Sequence, residues 1–100
     1  MGRLLKRKPK KRLESSIVRK FRELAKENGA LFFKISDRYL SGFPDGILID
    51  DGQVTFIEFK TDDGIVSKIQ QHVGRLICQH GGEWVVIRGM EEAKEWWDAV

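Results

Sequence analysis

The chain has 100 residues, with 18 Lys and Arg against 15 Asp and Glu, a formal net charge of +3. This length fits one ordinary domain with a real hydrophobic core and excludes a multidomain reading. No apolar run approaches the ~20 residues that span a bilayer, no apolar stretch follows the charged N-terminus, and the lone Cys78 cannot close an internal disulfide, all of which point to a reducing, cytoplasmic setting without a membrane.

The first twelve residues carry Arg3, Lys6, Arg7, Lys8, Lys10, Lys11 and Arg12 and no acid, which leaves 11 bases against 15 acids in residues 13–100, a net of −4. We therefore divide the chain into a cationic arm, 1–12, and a single folded body, 13–100. Such an arm engages phosphate backbones through counterion release, without reading sequence. Its plainer reading is a solvated tail that keeps a small protein in solution. With only Leu4 and Leu5 to insert, a membrane surface is the weaker partner.

From about Lys11 to Asn28, Leu13, Ile17, Phe21, Leu24 and Ala25 recur at helical spacing, and Gly29 follows as a stop. Ala30–Ile35 is a short apolar run that reads as a strand, and Ser36–Pro44 as a loop. Asp45–Asp50 and Val54–Lys60 are strands flanking Asp51-Gly52, a strong two-residue hairpin signal. A loop over 61–66 leads to a helix, Ser67–His80, stopped by Gly81-Gly82. Glu83–Arg88 reads as a strand, and Glu91–Ala99 as a closing helix. The connection from Val54–Lys60 through the second helix should be a right-handed crossover between parallel strands. Trp84, Trp96 and Trp97 read as core or helix-packing residues.

With Asp51 and Gly52 as the turn, paired residues have numbers summing to 103. Ile49 then meets Val54, Gly46 meets Ile57, and Asp45 lies opposite Glu58. Opposed side chains share a face, with Cβ atoms about 4.5–5.5 Å apart. Lys60 projects to the same face two residues on, while Phe59 points away. The strands are apolar on both faces, so the sheet should be covered on both sides. Two opposed carboxylates repel by about 1 kcal/mol in water and by more at lower effective dielectric. A divalent cation offsets that, and hard carboxylate oxygens suit Mg²⁺ or Mn²⁺. The bland reading, a strand-end Asp and a surface Glu–Lys pair worth ~0–1 kcal/mol, fits most E-x-K triplets. The register is what tells against it, and a one-residue slip would remove the argument.

Two more residues join by position. Glu14 shares a helix stripe with Ile17, Val18 and Phe21, where a carboxylate is unusual. It could serve a metal or its water, or simply favour the first helical turn through the helix dipole. Gln70 stands three residues after Ser67 in a capping box, which explains it structurally and leaves open a contact to a phosphate or water.

Pro44-Asp45 followed after a hairpin by Glu58-Phe59-Lys60 resembles the PD-(D/E)xK nuclease motif. With Glu14 upstream, Gly42-Phe43-Pro44-Asp45, and Ser67-Lys68-Ile69-Gln70 downstream, the fuller pattern resembles the VRR-NUC family in its stand-alone form, over about Leu13–Arg88. The resemblance implies a restriction-endonuclease-like α/β mixed sheet in the order α-β-β-β-α-β-α. It implies Asp45, Glu58 and the Phe59 main-chain carbonyl as ligands of Mg²⁺ or Mn²⁺, with Lys60 serving the attacking water and Glu14 and Gln70 completing the catalytic set. It also implies hydrolysis of DNA phosphodiester bonds by a homodimer related to the Holliday junction resolvases, in bacteria or phages.

The reading is thus a metal-dependent endonuclease for branched or structured DNA. A non-catalytic DNA-binding module using the basic arm is the alternative, and the acidic body counts against it, because a pure binder spreads positive charge over its docking face. A restriction endonuclease would need recognition elements that the chain does not show. His72, Cys78 and His80 share one helix without zinc-ligand spacing. Phe32, Phe33, Tyr39, Leu40 and Phe43 are the residues expected to supply a dimer surface, except that Phe32 and Phe33 alternate and one of the two must face the core.

Overall fold

The computed structural model describes residues 10–35 and 41–98. They form α1 (Lys10–Glu27), β1 (Leu31–Lys34), β2 (Gly46–Asp50), β3 (Gln53–Lys60), α2 (Lys68–Gln79), β4 (Glu83–Arg88) and α3 (Gly89–Asp98), in the expected order. Arg3, Lys6, Arg7 and Lys8 lie outside the described residues, as do Tyr39 and Leu40. Lys10, Lys11 and Arg12 belong to the first turn of α1, so the helix begins inside the stretch read as arm.

The sheet grows from its hairpin. Asp51 and Gly52 have φ of 51° and 82°, the left-handed pair that a type I′ turn requires, and the glycine meets it without a Cβ penalty. β2 pairs antiparallel with β3 in the expected register, from Asp50–Gln53 to Gly46–Ile57. β1 adds antiparallel outside β2, and β4 adds parallel outside β3, giving the order β1-β2-β3-β4.

Alternation along the strands divides the core. On one face Leu48, Ile57, Phe59 and Ile87 meet Ile17, Val18, Phe21 and Ala25 of α1 and Ala93 of α3. Phe21 is fully buried, with its ring centroid 5.3 Å from Phe59, 5.4 Å from Phe32 and 5.1 Å from Trp97, mostly edge-to-face or tilted. Gly46 makes this possible on β2, because a Cβ there would run into the Phe32 ring. Trp96 and Trp97 pack at the rim of the same cluster, as their composition suggested.

The opposite face departs from expectation. α2 covers it only over β4 and the end of β3, with Gly74 lying against the Trp84 ring. Leu31, Phe33 and Val54 stay exposed, at 58%, 53% and 42%, so the sheet is sealed on one side and half-covered on the other. Two-sided apolar composition marks where helices could pack; α2 is a single 12-residue helix and spans only part of four strands. The aromatic residues expected at a dimer surface separate accordingly. Phe32 belongs to the core, Phe43 packs on Phe56 at 5.9 Å, and Phe33 alone of the described three is open to solvent. Among the described residues, no helix is long and apolar enough to cross a membrane.

Candidate functional site

The acids gather where the β2–β3 ladder ends. β2 starts at Gly46, and Asp45 forms a bend just before it rather than the first strand residue. Its main chain still accepts a hydrogen bond from Ile35 N–H at 2.7 Å, which anchors it beside β1. Its carboxylate turns to β3, where Oδ2 accepts the Phe59 N–H at 2.8 Å.

Glu58 is the unusual residue. It is 1% exposed, as deep as the phenylalanines of the core, and it points to the α2 side of the sheet. One oxygen is well supplied. Its Oε2 accepts from Gln70 Nε2 at 2.8 Å and lies 3.9 Å from the Lys60 ammonium. The other, Oε1, is buried without any hydrogen-bond partner. Loss of hydration pushes the Glu58 carboxyl from 4.5 up to about 8, the neighbouring Asp45 carboxylate pushes the same way, and Lys60 pulls back; Glu14 adds a further push. Burial of a carboxylate is costly unless every oxygen finds a partner, and a cation at the orphaned Oε1 would offset that cost.

Gln70 caps α2 as its position predicted, and its side chain also reaches Glu58, a contact that the sequence did not indicate. Ser67 and Gln70 form a complete capping box, with Ser67 Oγ accepting from Gln70 N–H at 3.2 Å and Gln70 Oε1 accepting from Ser67 N–H at 2.8 Å. That second bond fixes which way the amide faces. With its oxygen committed to the cap, the Gln70 nitrogen is left to donate to Glu58.

Glu14 lines a pocket of about 180 Å³ with Ser15, Val18, Lys34, Asp45 and Phe59. Because α1 begins at Lys10, no acid stands in its first turn, and the helix-dipole explanation for Glu14 falls away. Glu14 is near enough to influence Glu58, yet among the described residues no three Asp, Glu, His or Cys side chains come close enough to hold one ion. Lys34 was not anticipated in this pocket. The signal was its phase: two residues beyond Phe32, it points to the same side of β1, and the β1–β2 register sets it opposite Gly46. A larger depression of about 410 Å³ lies at the hairpin end among Asn28, Asp50, Trp96 and Trp97, and gathers no such charge cluster.

The donor set fits Mg²⁺ or Mn²⁺. These ions prefer hard oxygen and are often held by one or two carboxylates, with water or phosphate completing the shell. Asp45, Glu58 and the Phe59 carbonyl could supply such oxygens, and Glu58 Oε1 has no protein partner of its own.

A solved VRR_NUC domain has the same fold: TM-score 0.76 at 20% identity, covering 86% of this chain and 95% of that one. No protein-family model matches the sequence, and no curated protein is significantly similar to it. The chain thus has the fold of that VRR_NUC domain, a mixed α/β, restriction-endonuclease-like architecture.

Proposed function

We propose that the protein is a Mg²⁺- or Mn²⁺-dependent DNA endonuclease. The observation that carries this reading is a fully buried glutamate with one oxygen unpartnered, set beside Asp45 and Lys60 at the open end of a sheet. Asp45, Glu58 and the Phe59 main-chain carbonyl would hold the ion, and Glu14, which lines the same pocket as Asp45 and Phe59, would complete the acidic set. A divalent ion supplies Lewis-acid polarisation of a phosphodiester and acidification of water. Lys60 keeps a positive charge where negative charge develops on phosphate and orients the attacking water. Gln70 holds Glu58 in place through its amide nitrogen. Lys34, exposed at the pocket, faces incoming phosphate with a cation. The basic residues Arg3, Lys6, Arg7, Lys8, Lys10, Lys11 and Arg12 add sequence-independent grip on the DNA backbone.

For substrate we favour branched or otherwise structured DNA, with a homodimer as the working unit. One site hydrolyses one bond, and two symmetric cuts in a four-way junction are most economically made by a two-fold pair. The test is direct. The protein is incubated with a four-way junction, a flap, plain duplex and single strand, each with EDTA, Mg²⁺, Mn²⁺ or Ca²⁺. Cleavage in Mg²⁺ or Mn²⁺, lost in EDTA and in Glu58→Gln, is the expected result. Binding without cleavage in every metal would favour the DNA-binding module instead. Sedimentation at micromolar concentration, with paired cuts on the junction, tests the dimer.

A further inference from the structure

Antiparallel ladders alternate bonded pairs, which exchange two hydrogen bonds, with non-bonded ones. Counting from the two-residue turn, the bonded pairs are Asp50–Gln53, Leu48–Thr55 and Gly46–Ile57. The next bonded pair in this series is Pro44–Phe59. It would need the Phe59 N–H to reach the carbonyl of residue 44, and the N–H of residue 44 to reach the Phe59 carbonyl. The second bond is impossible, because proline has no N–H. The first is replaced, because the Phe59 N–H goes to Asp45 Oδ2 at 2.8 Å. Pro44 is itself fully buried, so its place is fixed by packing and not by a solvent-exposed loop.

We propose that Pro44 is a positioning residue that ends the β2–β3 ladder one rung early and so reserves both main-chain groups of Phe59 for the site. The N–H is held for Asp45, and the carbonyl is held for a divalent cation. The two groups of Phe59 face the same side of the strand, as in any bonded pair, so the carbonyl lies on the side from which the Asp45 carboxylate approaches. A residue with an N–H at position 44 could close the rung, occupying the carbonyl and drawing the residue 44 carbonyl into competition with Asp45. This inference rests on the metal-dependent reading above, and concerns which residue keeps the ligand set open.

The experiment compares the full-length wild type with Pro44→Ala and Pro44→Val. Both variants introduce an N–H; they differ in how much of the buried volume they fill. Mn²⁺ binding is measured by calorimetry without DNA, and amide hydrogen exchange is measured on the metal-free proteins. Both variants should bind Mn²⁺ more weakly by about tenfold or more, the scale of losses when groups that orient metal ligands are removed. The new amide at position 44 should be protected from exchange, which a merely loosened loop would not show. Weakened binding in Pro44→Ala alone, or weakened binding with a fast-exchanging amide at 44, would mean a packing or rigidity role and overturn the inference. Equal binding by all three proteins overturns it while leaving the metal site standing. A wild type that binds no Mn²⁺ overturns the metal-dependent reading and this inference with it.

Discussion

Phe59 and Glu58 are neighbours on one strand, equally buried at 0% and 1%, and they spend that burial in opposite ways. Phe59 and its companions Thr55 and Ile57 face α1 and α3, in a cluster of interlocking rings. Glu58, with Phe56 and Lys60, faces the half-covered side, where a carboxylate has been stripped of water and left with one bare oxygen. One face of β3 gains stability from burial, and the other gives some up. Local conflict with the rules of folding is expected at functional sites and rare elsewhere. The comparison therefore separates residues that hold the molecule together from those that it holds in place.

The largest effects should fall on opposite sides of that division. Phe59→Ala or Phe21→Ala removes a buried ring and should cost roughly 3–5 kcal/mol of stability, read by denaturant melts. Glu58→Gln, Asp45→Asn and Lys60→Ala should instead remove cleavage, each by about 10²–10⁴-fold or more, with near-normal melting of the metal-free protein. Asp45→Asn is a fair probe because an amide oxygen can still accept the Phe59 N–H. Asp45→Ala loses that acceptor too, and should cost a further 0.5–1.5 kcal/mol or about that. A catalytically normal Glu58→Gln would end the division between the faces.

The second effect is on pH. The Glu58 carboxyl lies at about 8 in the folded protein against 4.5 unfolded. Between these values the folded state holds a proton that the unfolded state has released, so the slope of stability against pH is negative. The stabilising contribution of the protonated form is complete below about 4.5 and is lost as pH rises through about 8. Metal-free wild type should thus melt lower at pH 8.5 than at pH 5.5, and Glu58→Gln should flatten that difference. Mn²⁺ should restore more stability at the higher pH, because it binds the ionised carboxylate. A wild-type profile no steeper than that of Glu58→Gln would show that Glu58 is not strained by its burial.

How much of this division could be read from residues alone depended on distance along the chain. The hairpin was legible because its register follows from two adjacent residues, Asp51 and Gly52, and that register placed Asp45 opposite Glu58. The capping box was legible for the same local reason. What could not be read was coverage. Nothing in Leu31, Phe33 or Val54 says that α2 stops short of them, because composition shows that a strand can be buried and not what is long enough to bury it. The depth of Glu58 was hidden likewise, since an E-x-K triplet looks the same on a surface. The start of α1 mattered too: the shift to Lys10 removed the simplest structural account of Glu14.

The arm offers a milder effect. Removing residues 1–9, just before α1, deletes Arg3, Lys6, Arg7 and Lys8. If all four contact phosphate, the log–log salt slope of DNA binding should fall by about 3–4. Folding and Mn²⁺ binding should not change, because the acidic site lies on the body. An unchanged slope would assign the arm to solubility.

The smallest expected effect is also the sharpest test of the boundary between structure and function, and it falls on Gln70. Its side chain belongs to both faces of the argument at once: the oxygen caps α2 through Ser67, and the nitrogen donates to Glu58. Gln70→Ala removes both, so a loss there would not say which mattered. Gln70→Glu separates them. Glutamate serves a capping box as well as glutamine does, and a negative charge in the first turn of a helix that has none there is favoured by the helix dipole. Helix stability should therefore hold within a few tenths of a kcal/mol, or about that, of wild type. At the other end of the same group, a donor has become an acceptor facing the Glu58 carboxylate. Metal-free Gln70→Glu should show a still higher Glu58 pKa by carboxyl NMR, together with slower cleavage at neutral pH that recovers as pH is raised. If instead Gln70→Glu cleaves like wild type while Gln70→Ala is impaired, the capping box alone accounts for Gln70, and its bond to Glu58 is incidental.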